Sequence, residues 1–201
     1  MTLKNTLRCS AMILLAFSSL VFANSPRILY LYGDVADDGT IPSGEQAPFH
    51  QMRLNDTGPR GMSQFSTAVT ELGFELHEAY DAETELTPAW LASVRVLILG
   101  SNQKRFSEEE AAAVRQFVER GGGLVAWSDS AFGGHWQQVG VDKGRVVGIF
   151  DRNLFWNAGE GTQLSHADNR EFTQRVMIWA AHLENNPEFT SRIGKATQTN
   201  P

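Results

Sequence analysis

The residues with the clearest chemical potential are Ser128, His166 and Asp168. Ser128 follows the apolar run "GGGLVAW" and has a small residue two positions away on each side, Ala126 and Ser130. That spacing is typical of a nucleophile on a sharp strand-to-helix turn, where small neighbours let strand and helix pass closely. A serine nucleophile also needs a base and a group that orients the base. The pattern therefore predicts acyl transfer, in which Ser128 attacks, His166 takes the proton and Asp168 holds the imidazole.

The segment "SHAD", residues 165–168, has a second interpretation. Ser165 followed three residues later by Asp168 fits a capping box, with Ser165 as N-cap and Asp168 as the third residue of the last helix. Asp168 would then serve the helix, although a capping acid can also orient a histidine. The sequence leaves both roles open.

Other polar residues follow the predicted strands and form a candidate binding rim. Ligands of open parallel sheets bind outside the carboxyl ends of the strands, so we expect these side chains to converge there. We predict a small-molecule or glycan ligand, with no cofactor and no metal, because no His or Asp pair has a diagnostic ligand spacing. The predicted binding residues are Asp34, His50, Arg53, Asn102, Gln103, Asp129, Ser130, His135, Asp151, Arg152, Asn153 and Asn157.

The remaining histidines and the large aromatic residues receive structural interpretations. His77 falls on the polar face of an alternating strand, which predicts exposure to solvent. His182 lies near the end of the last helix, where a positive charge is favoured. Trp127 and Phe155 are expected in the core.

The elements that must position these residues alternate between strands and helices. Strands are predicted over 27–32, 74–79, 94–100, 124–127 and 145–150, and helices over 62–72, 87–91, 107–120 and 168–183. Residues 33–61 are dense in Gly, Pro, Asp and Asn and are predicted to be a long functional loop. This order predicts an α/β three-layer sandwich with a mostly parallel, flavodoxin-like sheet of about five strands.

Charge and composition indicate an exported protein. Residues 1–23 resemble a secretory signal, with Lys4 and Arg8 before an apolar run and a small-residue cleavage pattern at 21–23. We expect a domain over 24–184 and a loose polar tail over 185–201, in the periplasm or secreted. The net charge is −6, with no run of Lys or Arg, which argues against nucleic acid or, after signal cleavage, a membrane as partner. The oligomeric state is not predicted.

Two segments carry a resemblance to a known family. "SEEEAAAVRQFVERGGGLVAWSDS", 107–130, resembles the helix–GGG–strand–elbow unit of the class I glutamine amidotransferase-like superfamily, including its trehalose-utilisation (ThuA-like) branch. "GRVVGIFDRNLFWNAGEGTQLSHADNREF", 144–172, is similar to the closing segment of uncharacterised exported members. The resemblance implies a flavodoxin-like domain with Ser128 at the position of the family's cysteine nucleophile, and His166 and Asp168 at those of its histidine and glutamate.

Two functions follow as expectations. The first is an exported domain of that superfamily that acts as a carbohydrate-related or amide/ester hydrolase through Ser128, His166 and Asp168. The second is a non-catalytic module that binds a glycan or a protein through the same rim. A purely structural role of the polar loops is the third alternative, because fold alone does not fix function.

Overall fold

A computed structural model describes residues 25–32, 52–100, 106–127, 143–149, 151–158 and 162–195, with Ala82 described by its backbone alone. The strands are β1 (Arg27–Tyr32), β2 (Glu75–Tyr80), β3 (Val96–Gly100), β4 (Gly123–Trp127) and β5 (Arg145–Ile149). They form one sheet in the order β2-β1-β3-β4-β5, and every neighbouring pair is parallel. This is the flavodoxin-like strand order, so the predicted fold class is confirmed.

In the described residues, five α-helices flank this sheet. They are α1 (Ser63–Thr70), α2 (Pro88–Leu91), α3 (Glu108–Glu119), α4 (Asn169–Ala180) and α5 (Pro187–Thr190), with single 3-10 turns over Asp81–Glu83 and Arg152–Phe155. In the parts of the chain that the structure describes, no helix combines the length and the apolar character needed to cross a membrane.

The core has two halves because side chains of a strand alternate between the faces of the sheet. Ile28 and Tyr30 of β1 pack with α1, α4 and α5 on one face. Leu29 and Leu31 pack with α2 and α3 on the other face. The domain is therefore a three-layer sandwich, as the alternation of strands and helices predicts.

The start and end of α3 follow directly from the sequence. The Ser107 hydroxyl accepts a hydrogen bond from the Glu110 backbone N–H, and the Glu110 carboxylate accepts one from the Ser107 N–H. Gly121 ends the helix with a φ of +99°, which other residues rarely adopt. At Gly123 a Cβ would lie 2.2 Å from the Ala180 carbonyl oxygen, so β4 and α4 meet where only glycine fits.

The start of α4 differs from the capping-box interpretation, which is wrong. The helix begins at Asn169, with Asp168 at the N-cap position and no hydrogen bond from its side chain. Ser165 lies earlier, in consecutive turns, and Ala167 has a φ of +46°. The Asn169 side-chain amide donates to the carbonyls of residues 162 and 163, both at 2.9 Å, and this holds the turns in place of a helical start.

The segment after α4 packs against the domain where the sequence suggested a loose tail. Asn186 caps α5 by accepting a hydrogen bond from the Glu188 N–H at 3.0 Å. The buried Phe189 packs on Phe74, with ring centroids 5.2 Å apart. Ile193 packs against the same half of the core, and Arg192 donates to the Leu72 carbonyl at 2.9 Å, so residues 187–193 are anchored to the domain.

Candidate functional site

The carboxyl ends of the strands lie in one row. Tyr80, Tyr32, Gly100, Trp127 and Ile149 are neighbours in register across the sheet. Because all strands are parallel, the segments that follow them leave from the same edge, which we call the carboxyl edge. Part of the predicted rim falls outside the described residues, namely Asp34, His50, Asn102, Gln103, Ser128, Asp129, Ser130 and His135.

Arg53 lies at this edge and is held by the outer strand β2. Its Nε and Nη2 donate to Glu78 Oε1 at 2.8 and 2.5 Å, and the Leu54 N–H donates to Glu78 Oε2 at 2.9 Å. The Arg53 guanidinium also lies over the Tyr32 ring, 4.8 Å from its centroid. Glu78 was not predicted as a site residue, because its partner is remote in sequence and its strand has an ordinary alternating pattern.

An aromatic stack lies beneath the edge. Trp127 stacks on Phe155 with ring centroids 4.0 Å apart, and the Tyr30 ring also stacks on Trp127, with centroids 5.8 Å apart. The Tyr30 hydroxyl donates to the Met52 carbonyl at 3.1 Å, and burial raises the Tyr30 pKa far above its ordinary value. Trp127 and Phe155 are buried, so their predicted place in the core is confirmed.

In the segment after β5, the Trp156 ring has two cationic side chains near it. Asp151 accepts a hydrogen bond from the Asn153 N–H at 3.0 Å and so caps the 3-10 turn. Arg152 is 8% exposed, and its guanidinium carbon lies 5.8 Å from the centroid of the Trp156 ring. Arg60, which is exposed, lies 5.5 Å from the same centroid. Both distances are within the range of cation–π contacts.

Asn157, predicted to bind substrate, is engaged by the protein itself. Its side-chain amide donates to the carbonyls of Asp56 and Gly58 at 2.8 and 2.9 Å. Its Oδ1 accepts from the backbone N–H of Gln64 at 2.8 Å and from the Ser63 hydroxyl at 3.2 Å. Both amide hydrogens are used, so this side chain braces the loop before α1 and caps that helix from a distant segment.

His166 and Asp168 lie on the turns that lead into α4. Both residues are exposed, and within the described residues neither side chain forms a hydrogen bond. The Leu164 N–H donates to the Trp156 carbonyl at 3.0 Å, which ties these turns to the segment after β5. The contact with Ser128 that the predicted relay requires lies outside the described residues. The described residues also contain no group of three His, Cys, Asp or Glu side chains placed to hold a metal.

The other two described histidines have different surroundings. His77 is exposed, as predicted, and its Nε2 lies 2.6 Å from Glu75 Oε1. For His182, the expectation of a favoured positive charge is wrong. The main cause that lowers the His182 pKa is burial, and repulsion from Arg145 and Arg95 lowers this pKa further.

A groove of about 380 Å³ lies away from the carboxyl edge, beside the amino-terminal half of β1. It is on the face that packs against α2, because its floor residue Leu29 belongs to that half of the core. The sequence analysis did not predict it. The residues that line it are Arg27, Leu29, His77, Glu78, Trp90, Ser93 and Val94.

The sheet order by itself does not identify a reaction, because flavodoxin-like domains host many unrelated activities. The sequence matches no protein-family model, and no curated protein matches it.

Proposed function

We propose that this protein is an exported domain that binds an anionic small molecule or acidic glycan at the carboxyl edge of its sheet. The observation that carries the proposal is the placement of the Arg60 and Arg152 guanidiniums 5.5 and 5.8 Å from the centroid of the Trp156 ring. The predicted signal segment and the predicted position of the ligand rim support the same interpretation.

Guanidinium groups suit this role because they present a planar set of donors to carboxylate or phosphate oxygens. The cation–π contact with Trp156 holds the Arg60 guanidinium beside the ring while no described carboxylate pairs with it. Arg152 is buried, and a buried cation interacts more strongly with an anion than an exposed one. Arg60 is exposed and forms no ion pair with the described carboxylates, so it is suited to meet the ligand first.

Unsatisfied buried donors support a polar ligand at the same place. The indole Nε1 atoms of Trp156 and Trp127 are buried and have no hydrogen-bond partner in the described part of the chain. Trp127 ends β4, and Trp156 follows β5, its neighbour in the sheet. Buried donors normally have a partner, so a bound polar group or water is expected nearby.

Calorimetric titration tests the proposal. The probes are glucuronate, citrate and inorganic phosphate, with glycerol as the uncharged comparison. We expect at least one anion to bind saturably and Arg60→Gln to weaken it by about tenfold. Arg175→Gln is the matched control, because Arg175 is an exposed cation on α4 that pairs with Glu171. The proposal fails if no anion saturates the protein, or if both variants bind like the wild type.

A second candidate is a hydrolase, favoured by the backbone between His166 and Asp168. Ala167 adopts a positive φ, which non-glycine residues rarely do and which is found disproportionately at functional sites. In this hypothesis Ser128 attacks the carbonyl carbon, His166 passes the hydroxyl proton to the leaving group, and Asp168 orients the ring. Water, deprotonated by His166, then attacks the acyl-enzyme, and the proton returns to the Ser128 oxygen as the acid is released. The resemblance to the amidotransferase-like superfamily supports the same three positions.

The hydrolase hypothesis is tested by Ser128→Ala in screens with nitrophenyl esters, anilides and glycosides. The expected result is turnover by the wild type that falls by at least about a thousandfold in the variant. His166→Ala should lose a similar fraction, and His182→Gly is the control, because His182 lies at the opposite end of α4 from His166. Turnover that survives Ser128→Ala would exclude this serine as the nucleophile.

A further inference from the structure

We infer that the groove between β2 and α2 is a second ligand site, distinct from the Arg60–Trp156–Arg152 cluster, and that it takes a pyranose ring of a saccharide. Its residues come from the amino-terminal half of β1, from β2, and from α2 with the turn that follows it. It therefore shares no residue with the Arg60–Trp156–Arg152 cluster.

The connection between β2 and β3 contains only a short helix, α2, and the groove lies beside it. The helix α2 has four residues, and one of them, Trp90, is 46% exposed. The floor contains Leu29, which is buried, and Val94, which packs against the same half of the core. Trp90 and this floor together give the groove an apolar side.

The groove also has a polar side, which is formed by a series of polar contacts. Arg27 Nη1 donates to the Ser93 hydroxyl at 2.8 Å, and Arg27 Nη2 lies 3.5 Å from Glu75 Oε2. The other oxygen of Glu75 lies 2.6 Å from His77 Nε2. Glu75 thus contacts both the guanidinium and the imidazole that line the groove. The side chains of Arg27 and His77 are 40% and 47% exposed, so their polar groups are accessible to a ligand.

This combination selects a ring that has both an apolar face and hydroxyl groups at its rim. The C–H face of a pyranose can pack on the Trp90 indole and on the apolar floor. Its hydroxyls can then exchange hydrogen bonds with Arg27, His77 and Ser93. A wholly apolar ring would displace water from these polar groups without replacing its hydrogen bonds, which is unfavourable. The volume of about 380 Å³ falls within the range of small-molecule sites.

Trp90→Ala tests the site, with Trp179→Ala as the matched control. Trp179 is the other tryptophan with a large exposed fraction in the described residues, 39%, and it lies on α4 over Arg145. Saturation-transfer NMR and calorimetry would use methyl glucopyranoside, methyl galactopyranoside and methyl mannopyranoside, with cyclohexylmethanol as a ring of similar size without the ring hydroxyls. Thermal unfolding confirms that each variant folds.

The expected result is saturable binding of at least one glycoside, weakened by about tenfold in Trp90→Ala and unchanged in Trp179→Ala. His77→Ala should weaken it as well, and Arg60→Gln should leave it unchanged, which separates this site from the Arg60–Trp156–Arg152 cluster. The inference is overturned if none of the glycosides saturates the protein. It is also overturned if the two tryptophan variants bind equally well, or if cyclohexylmethanol binds as tightly as the glycoside.

Discussion

Replacing Asn157 by alanine should destabilise the domain strongly, although the residue lies in a loop. The side chain is 7% exposed, and it joins the segment after β5 to the loop before α1 and to the first turn of that helix. In Asn157→Ala the N–H of Gln64 loses its partner. The carbonyls of Asp56 and Gly58 each lose one of two hydrogen bonds and keep only those from the N–H groups of Ser63 and Gly61. These groups belong to the backbone, so a new rotamer cannot redirect them to another partner.

The magnitude follows from the three short contacts, at 2.8, 2.9 and 2.8 Å. A hydrogen bond between buried groups contributes about 1 kcal/mol net, so the variant should lose about 3 kcal/mol of unfolding free energy. For a domain of this size, 1 kcal/mol corresponds to roughly 2–4 °C in Tm, so the loss should be about 6–12 °C. Asn157→Asp should be similarly harmful near neutral pH, because a carboxylate would face two carbonyl oxygens and could donate to neither.

Urea unfolding followed by tryptophan fluorescence would measure this loss. The matched control is Asn153→Ala in the same segment, because Asn153 Oδ1 has no hydrogen-bond partner among the described residues. That variant should change the unfolding free energy by less than about 0.5 kcal/mol. If Asn157→Ala and Asn153→Ala lose equal amounts, the hydrogen bonds of Asn157 do not brace the loop and this explanation is wrong.

Three further substitutions test the backbone geometry. His182→Gly should raise the unfolding free energy by about 1 kcal/mol, because His182 has a φ of +58° at the end of α4. Burial, followed by Arg145, lowers its folded pKa, so the unfolded chain binds the proton more readily, and the wild type should lose more stability than His182→Gly as pH falls below 6.5. Denaturant titrations at about pH 7.5 and about pH 5.5 would show this, and parallel losses would contradict it. Gly100→Ala should cost about 1–3 kcal/mol, because a Cβ there lies 2.0 Å from the Tyr30 ring. Gly121→Ala, which meets no atom within 4 Å but has a φ of +99°, should cost about 1 kcal/mol, and a smaller loss at Gly100 than at Gly121 would contradict the steric argument.

Local patterns were sufficient to predict the fold. The buried run over β3, the alternating pattern over β2 and the capping box of Ser107 and Glu110 each depend on neighbours in sequence. Together they predict the parallel sheet and its two helical layers. The order of the strands then follows the flavodoxin-like expectation.

Long-range partners could not be predicted, and they decide which side chains are available to a ligand. Arg53 and Asn157 are both polar loop residues, and the sequence placed both in the rim. The structure gives Arg53 an ion pair with Glu78 and gives Asn157 backbone partners in another loop. The packing of Phe189 on Phe74 was missed for the same reason, since no local period marks a single anchoring side chain.

The brace at Asn157 also explains how the proposed anion site is formed. The backbone N–H of Asn157 donates to the Gly61 carbonyl at 2.9 Å, and the next N–H, of Ala158, donates to the Pro59 carbonyl at 2.8 Å. These two bonds hold residues 59–61 against the segment after β5, and so keep Arg60 beside the Trp156 ring. A Cβ at Gly61 would lie 2.1 Å from the Asp56 carbonyl oxygen, so this loop has little room to shift. Arg60 is therefore an exposed cation on a fixed backbone, and loosening the brace should weaken anion binding even though Asn157 has no free amide hydrogen for the ligand.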